Sequence, residues 1–292
     1  TTLGSQPLKV TYDGYETSYS VSVGDYTSRI SIKNIPVKTS YLYNESLDVT
    51  GGTITVTKAS GATADVSMTT GMVTGYLKTK LGMQSLTVIY DGKTTTYSVQ
   101  VNDYTTSISV STKPTKTNYL YGENLDVSGG DIRITKASGV TSYQSLTSDM
   151  VSGFDHSKIG PQVIVVTYDN KTTTLSIDVS DYTVGISIKN GPTKTSYLYG
   201  EAINVAGGVI SVYQASGATQ EVSITSGMVS GYNSQQLGLQ TLTVIYAGKS
   251  TSYTISVSDY IASISLVTKP TQLIYQYGES IKPTGGKVQI IH

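Results

Sequence analysis

The sequence predicts an all-β protein built as a series of small antiparallel β-sandwiches, joined end to end as an elongated rod. Three observations carry this. The chain of 292 residues repeats every 78 without insertion or deletion: Asp-Tyr recurs at 25–26, 103–104, 181–182 and 259–260, and Gly-Gly at 51–52, 129–130, 207–208 and 285–286. Within each period, apolar and polar residues alternate in short runs, the pattern of strands with one buried face. Turn residues separate the runs, as where Tyr12, Tyr90, Tyr168 and Tyr246 each precede a two-residue turn.

The middle unit, 104–181, illustrates the elements in order. Ile108 and Val110 alternate with polar residues and open a strand, which Lys113-Pro114 ends because proline has no N–H to give a ladder. An extended segment from Thr117 to Leu125 is expected to place Tyr119 and Tyr121 on one face and Leu120 on the other. Asp126 to Gly130 reads as a bend. Asp131 to Lys136 alternates again, with Ile132 and Ile134 on one side, and Ser138-Gly139 supplies a hairpin turn in which glycine accepts positive φ. Val140 to Leu146 continues as a strand, and Ser148 to Gly153 as a short helical turn or crossover. The strongest strand is Gln162 to Tyr168, with Ile164, Val166 and Tyr168 facing one way. Asp169-Asn170 forms a tight primed turn, and Thr172 to Val179 closes the unit with Leu175, Ile177 and Val179 inward. About seven short strands in about 80 residues describe one sandwich.

The period also sets the expected domain boundaries: complete repeats at 26–103, 104–181 and 182–259, flanked by the C-terminal part of a repeat at 1–25 and the N-terminal part of another at 260–292. The chain then reads as a window on a longer repetitive protein. No Gly/Ser- or Pro-rich linker separates the closing strand of one unit from the opening strand of the next, which restricts bending. With a strand rise of ~3.3 Å per residue, each unit should add on the order of 35 to 45 Å to the rod.

Composition narrows the class of protein. Lys plus Arg and Asp plus Glu balance at 20 each, so nothing resembles the basic patch that a nucleic-acid partner requires. The chain has no Cys and no Trp, one Phe (Phe154) and 24 Tyr. It therefore has no disulfide staples and no thiolate metal sites. No apolar run approaches the roughly 20 residues that span a bilayer, so no membrane insertion is expected of this segment. The prevalence of Thr, Ser, Gly and Tyr suits secreted β-structure, and an extracellular location is expected.

Three runs carry a family resemblance: Tyr-Gly-Glu-Asn-Leu-Asp-Val-Ser-Gly-Gly (121–130), Asp-Met-Val-Ser-Gly-Phe-Asp (149–155) and Val-Ile-Val-Val-Thr-Tyr-Asp-Asn-Lys (163–171). They are similar to the group 3 bacterial immunoglobulin-like domain, and they recur in order over essentially the whole chain. The resemblance implies immunoglobulin-like sandwiches in surface or secreted proteins of bacteria, chiefly Gram-positive ones, where they act as stalks, spacers or adhesive modules. It brings no catalytic residues. The family pattern is less rich in tyrosine than this chain.

The site inventory points away from an enzyme and calls for no cofactor. Only His156 and His292 are present, and Ser234 stands in register with His156, so no His-based acid/base pair recurs. The recurring junction acids Asp103, Asp181 and Asp259 invite comparison with a calcium site. One acid per junction, even with Glu123 and Asp126, falls short of the six to eight oxygen ligands needed, and a side-chain cap on a turn is the simpler role. Tyr104, Tyr182 and Tyr260 follow these acids at the seam. They are expected either to wedge adjacent units together with their hydroxyls wet or to pack at a strand start.

Tyr41 and Tyr43 recur as Tyr119 and Tyr121, Tyr197 and Tyr199, and Tyr275 and Tyr277. Residues i and i+2 share a strand face, so each pair is expected to pack into the sandwich or cover its end, with sugar stacking as the alternative. Lys93, Lys171 and Lys249, and Gln84, Gln162 and Gln240, recur in positions that raise isopeptide or ester cross-links. No Asn recurs in register with them, which favours solvated lysines and ordinary polar glutamines.

The expected function is a non-enzymatic stalk or spacer whose partners are neighbouring repeats of the same longer protein. Two alternatives stand beside it. One is a multivalent adhesin module that binds a glycan or a host surface protein. The other is head-to-tail assembly through the incomplete terminal repeats.

Overall fold

The computed structural model describes residues 2–292; Thr1, the first residue of the 1–25 segment, lies outside them. The chain opens with an antiparallel hairpin, β1 (Gly4–Tyr12) and β2 (Tyr15–Val23). The next period supplies β3 (Thr27–Asn34), β4 (Ser40–Leu42), β5 (Thr53–Lys58), β6 (Thr63–Ser67), β7 (Val73–Thr74), β8 (Gly82–Tyr90) and β9 (Lys93–Asn102). The middle period repeats them as β10 (Thr105–Thr112), β11 (Asn118–Leu120), β12 (Asp131–Lys136), β13 (Thr141–Ser145), β14 (Val151–Ser152), β15 (Gly160–Tyr168) and β16 (Lys171–Ser180). A third set follows as β17 (Thr183–Asn190), β18 (Ser196–Leu198), β19 (Val209–Gln214), β20 (Thr219–Ser223), β21 (Val229–Ser230), β22 (Gly238–Tyr246) and β23 (Lys249–Ser258). The pair β24 (Ser263–Thr268) and β25 (Lys287–Ile291) ends the chain. The helical content among the described residues is limited to 3-10 turns at Thr70–Met72, Ser148–Met150 and Ser226–Met228, and no helix is long and apolar enough to cross a membrane.

The described residues pack as two compact units, 2–115 with 127–152 and 164–175, and 116–126 with 153–163 and 176–292. The first unit contains a complete sandwich. Its three-stranded sheet has the order β3-β5-β6 and its four-stranded sheet the order β4-β9-β8-β7. Alternation sends Ile54 and Val56 of one sheet against Leu86, Val88, Val99 and Val101 of the other, all at 3% exposure or less. Fully burying each such side chain contributes about 1.5–3 kcal/mol, and truncating Leu86 to Ala would cost about 2–5 kcal/mol. The unit also holds the β10-β12-β13 sheet of the middle period, in which Ile132 and Ile134 are buried.

The second unit repeats the sandwich with sheets β17-β19-β20 and β18-β23-β22-β21. Ile210, Val212 and Ile224 pack with Val244, and Tyr197 packs with Leu242, Ile255 and Val257. From the middle period this unit contains the pairing of β11 with β16, from Asn118↔Asp178 to Leu120↔Ser180.

The recurring Gly-Gly has a steric cause in both units. Gly51 sits at φ +82, and a Cβ there would lie 2.7 Å from Val37 Cγ2. At Gly52 a Cβ would meet Met68 Sδ at 2.8 Å and the Val49 carbonyl at 3.0 Å, so the bend closes only on glycine. The hairpin turns are of the primed type: both central residues have positive φ at Asp91-Gly92, Asp169-Asn170 and Ala247-Gly248.

Two sequence expectations change. The sandwiches are antiparallel except for one pairing each, because β4, β11 and β18 run parallel to β9, β16 and β23. The segment expected to extend from Thr117 to Leu125 is a strand only over Asn118–Leu120. The Glu123 carboxylate accepts the Leu120 N–H at 2.6 Å, and Glu123 N–H donates to the Leu120 carbonyl at 3.0 Å, which turns the chain at that point.

Candidate functional site: the module junctions

The seam between periods is two residues long: β9 ends at Asn102 and β10 starts at Thr105, and β16 ends at Ser180 and β17 starts at Thr183. Each intervening Asp is tied forward. The Asp103 carboxylate accepts the Ser138 hydroxyl and the Ser138 N–H (3.2 Å), which lie in the hairpin turn after β12, together with the Tyr104 N–H (2.9 Å). Asp181 makes the same set with Ser216 and Tyr182, and Asp25 holds Ser60. The Tyr carbonyl adds a further bond, as Ala137 N–H donates to Tyr104 O and Ala215 N–H to Tyr182 O, both at 2.9 Å. The Ser216 hydroxyl holds the Asp181 carboxyl below its ordinary value, as the Ser60 hydroxyl does for Asp25. Asp259 accepts the Tyr260 N–H and stands 3.6 Å from His292 Nδ1.

The junction acids thus hold hairpin turns. Among the described residues no group of three or more His, Cys, Asp or Glu side chains is placed to hold a metal ion. Glu123 is engaged with the Lys116 ammonium (2.9 Å) and the Leu120 N–H. His156 contributes its backbone carbonyl to Gly122 N–H at 3.0 Å.

The paired tyrosines differ in burial. Tyr41, Tyr119 and Tyr197 are buried at 1–2% exposure. Each hydroxyl spans a loop: Tyr41 donates to Asp48 O at 2.7 Å, with Lys38 O at 2.9 Å as a second acceptor, and accepts Asp48 N–H at 3.3 Å. Their rings meet Tyr76, Phe154 and Tyr232 at centroid distances of 5.3, 5.3 and 5.4 Å, and carry the Lys38, Lys116 and Lys194 ammonium groups at 5.3, 5.1 and 5.1 Å. Each lysine also pairs with a glutamate: Lys38 with Glu45, Lys116 with Glu123 and Lys194 with Glu201.

Tyr43, Tyr121 and Tyr199 lie beyond the end of the three-residue strand, partly exposed. Their N–H groups donate to Asn102 O (2.8 Å), Ser180 O (2.9 Å) and Ser258 O (2.9 Å), which ties the backbone at each tyrosine to the strand end that enters the seam. Tyr104, Tyr182 and Tyr260 are 40%, 43% and 46% exposed there and do not pack into a core.

Gln84, Gln162 and Gln240, expected to be ordinary polar residues, are 6% exposed. Each side-chain amide closes a loop. Gln162 accepts Asp155 N–H at 3.0 Å and donates to Asp155 O (2.7 Å) and Lys158 O (2.6 Å). The signal was available, since alternation places Gln162 on the inward face with Ile164 and Val166. The serines that Asp103 and Asp181 hold carried no comparable signal, because they stand 35 residues away.

Repeated two-sheet sandwiches with tied seams define a tandem immunoglobulin-like protein. The chain belongs to the bacterial Ig-like domain (group 3) family, which matches residues 35–101, 112–179 and 190–257. It is 24% identical over 277 residues to pectate lyase L of Thermoclostridium stercorarium, an overlap that covers 90% of this chain and 22% of that protein. It is 26% identical over 152 residues to an exo-beta-1,6-galactobiohydrolase of Bifidobacterium longum subsp. longum, covering 49% of this chain and 10% of that protein. The chain therefore spans less than a quarter of the length of either relative. Among solved structures, domains 1–6 of the surface layer protein SbsC align over 88% of this chain and 44% of theirs, at 13% identity and a TM-score of 0.23.

Proposed function

We propose that the chain is a non-enzymatic spacer: a series of sandwiches that sets the distance between other parts of a longer bacterial protein working outside the cell, at the surface or secreted. The observation that carries this reading is the two-residue seam. An Asp-Tyr step with its carboxylate and carbonyl both committed to the next hairpin turn leaves little freedom between modules. The proposed repeats are 26–103, 104–181 and 182–259. Matching a small share of two much longer relatives, one named a pectate lyase and the other a galactobiohydrolase, agrees with a segment that accompanies catalytic parts. The test is an activity assay. The purified chain should release no product from pectate or β-1,6-galactan, and release of product would contradict the reading.

A second reading, self-association, has its own observation. Leu8 and Val10 of β1 are 41% and 47% exposed, whereas Leu86 and Val88, their register counterparts, are fully buried. Ile264 and Val288 are likewise open at 67% and 58%. Apolar faces of this kind favour a second copy as cover. Sedimentation velocity tests it: sedimentation that rises with concentration supports it, and a monomer at all concentrations excludes it.

A further inference from the structure

Two tyrosines at the 259–260 seam line a cavity. Tyr199 and Tyr260, 44% and 46% exposed, form walls of a cleft of about 500 Å³ together with Leu198, Lys194 and Glu201. The same two rings border a second cleft of about 320 Å³ that Leu237, Asp259 and His292 complete. Both rings are fixed at their roots, Tyr199 by its N–H on Ser258 O and Tyr260 by its N–H on Asp259 Oδ1, each at 2.9 Å. The same residue types in the same register stand at the other seams, as Tyr121 with Tyr182 and Tyr43 with Tyr104. There too the backbone anchors recur, at 2.9 Å to Ser180 O and 2.8 Å to Asn102 O.

We propose that these clefts bind a neutral saccharide chain, one short stretch per seam. The chemistry selects that ligand. Two anchored phenol rings offer apolar faces for the C–H faces of sugar rings, and their hydroxyls remain able to exchange hydrogen bonds with sugar hydroxyls. The charges in the cleft are already paired, since the Lys194 ammonium is held by Glu201, and Glu201 also accepts the Leu198 N–H. Nucleic acid is disfavoured because aromatic stacking there works with a basic groove, which the balanced charge of this chain does not supply. An acidic polysaccharide is disfavoured for the same reason, since the cleft offers no unpaired lysine or arginine. Equivalent sites 78 residues apart on one chain convert weak single contacts into avidity for a polymer. This binding does not depend on the spacer role, and either reading can fail without the other.

The experiment is affinity electrophoresis of the full chain in gels containing a neutral galactan, a neutral glucan or polygalacturonate. Retardation by a neutral polymer is expected. Tyr104→Ala/Tyr182→Ala/Tyr260→Ala should weaken it by about tenfold or more through lost stacking and avidity. Tyr12→Ala/Tyr15→Ala, which removes two tyrosines exposed by 84% and 82% on the first hairpin, should leave it unchanged. In case the triple variant folds poorly, NMR shift mapping on the unmodified chain with a neutral oligosaccharide should perturb Tyr121, Tyr182, Tyr199 and Tyr260. Migration unaffected by either neutral polymer, retardation by polygalacturonate alone, equal effects of the two variants, or shifts confined to residues away from the seams would each overturn the proposal.

Discussion

The Asp181 carboxylate accepts both the hydroxyl and the backbone N–H of Ser216, a residue 35 positions later in the hairpin turn of the following sandwich. The bond links the last residue of one period to the middle of the next. Its consequence is directly testable. Asp181→Ala should accelerate hydrogen exchange at the Ser216 and Tyr182 amides and leave the Ser60 amide unchanged. The contribution also has a pH window. The folded carboxyl lies below its ordinary value of 3.8, so its stabilisation is present above that value and lost as pH falls through the lowered folded value. Exchange at Ser216 should therefore rise selectively in acid, and equal protection of the wild type and the variant near neutral pH would contradict the account.

The three aromatic partners of the buried tyrosines are not equal. Tyr76 OH donates to Glu45 O at 2.8 Å and Tyr232 OH to Glu201 O, whereas Phe154 occupies the same place without a hydroxyl. Phe154→Tyr should add the missing bond to Glu123 O and raise stability by about 1 kcal/mol. Chemical denaturation measures this, and a loss of stability would show that the middle repeat has no room for the hydroxyl.

Tyr97 presents the opposite case. It is 6% exposed, its hydroxyl has no hydrogen-bond partner, and the middle repeat places Leu175 at the same position. Tyr97→Phe should stabilise the protein by about 1 kcal/mol, because an unpaired buried hydroxyl is removed while the ring remains. Burial also pushes the Tyr97 phenol up to about 12 from 10.0. The neutral form is thus favoured in the fold, and its stabilisation is full below pH 10 and lost as pH rises toward 12. The variant should lose less stability than the wild type across that window in alkaline unfolding.

The hairpin turn of the third repeat carries Ala247 at φ 47, where the other turns have Asp at φ 44 to 47. The alanine methyl makes no hydrogen bond to support a left-handed conformation, which costs roughly 1–2 kcal/mol for an L-residue. Ala247→Asn should recover about 1 kcal/mol, read as a higher unfolding midpoint of the chain. An unchanged or lower midpoint would contradict that strain.

Much of the fold was legible because it is local. Alternation placed Ile164, Val166, Leu175, Ile177 and Val179 inward, and all are buried at 4% exposure or less. The Asp169-Asn170 pair marked its own turn, with φ 47 and 57. What was not legible depends on partners distant in sequence. Leu120 ends its strand because Glu123, three residues on, captures its N–H. The parallel pairing of Asn118 with Asp178 likewise has no signature within either segment. The seam was visible as a repeated Asp-Tyr, but the serine partner of Asp103 and Asp181 emerges only when the hairpin of the next repeat is brought against it.

The spacer account is tested most directly by removing residues 104–181, a deletion of one full period that rejoins Asp103 to Tyr182 and restores the Asp-Tyr step. Small-angle X-ray scattering should show the maximum dimension reduced by on the order of 35 to 45 Å, one module of extended strands, with cooperative unfolding retained. An unchanged maximum dimension would contradict the account.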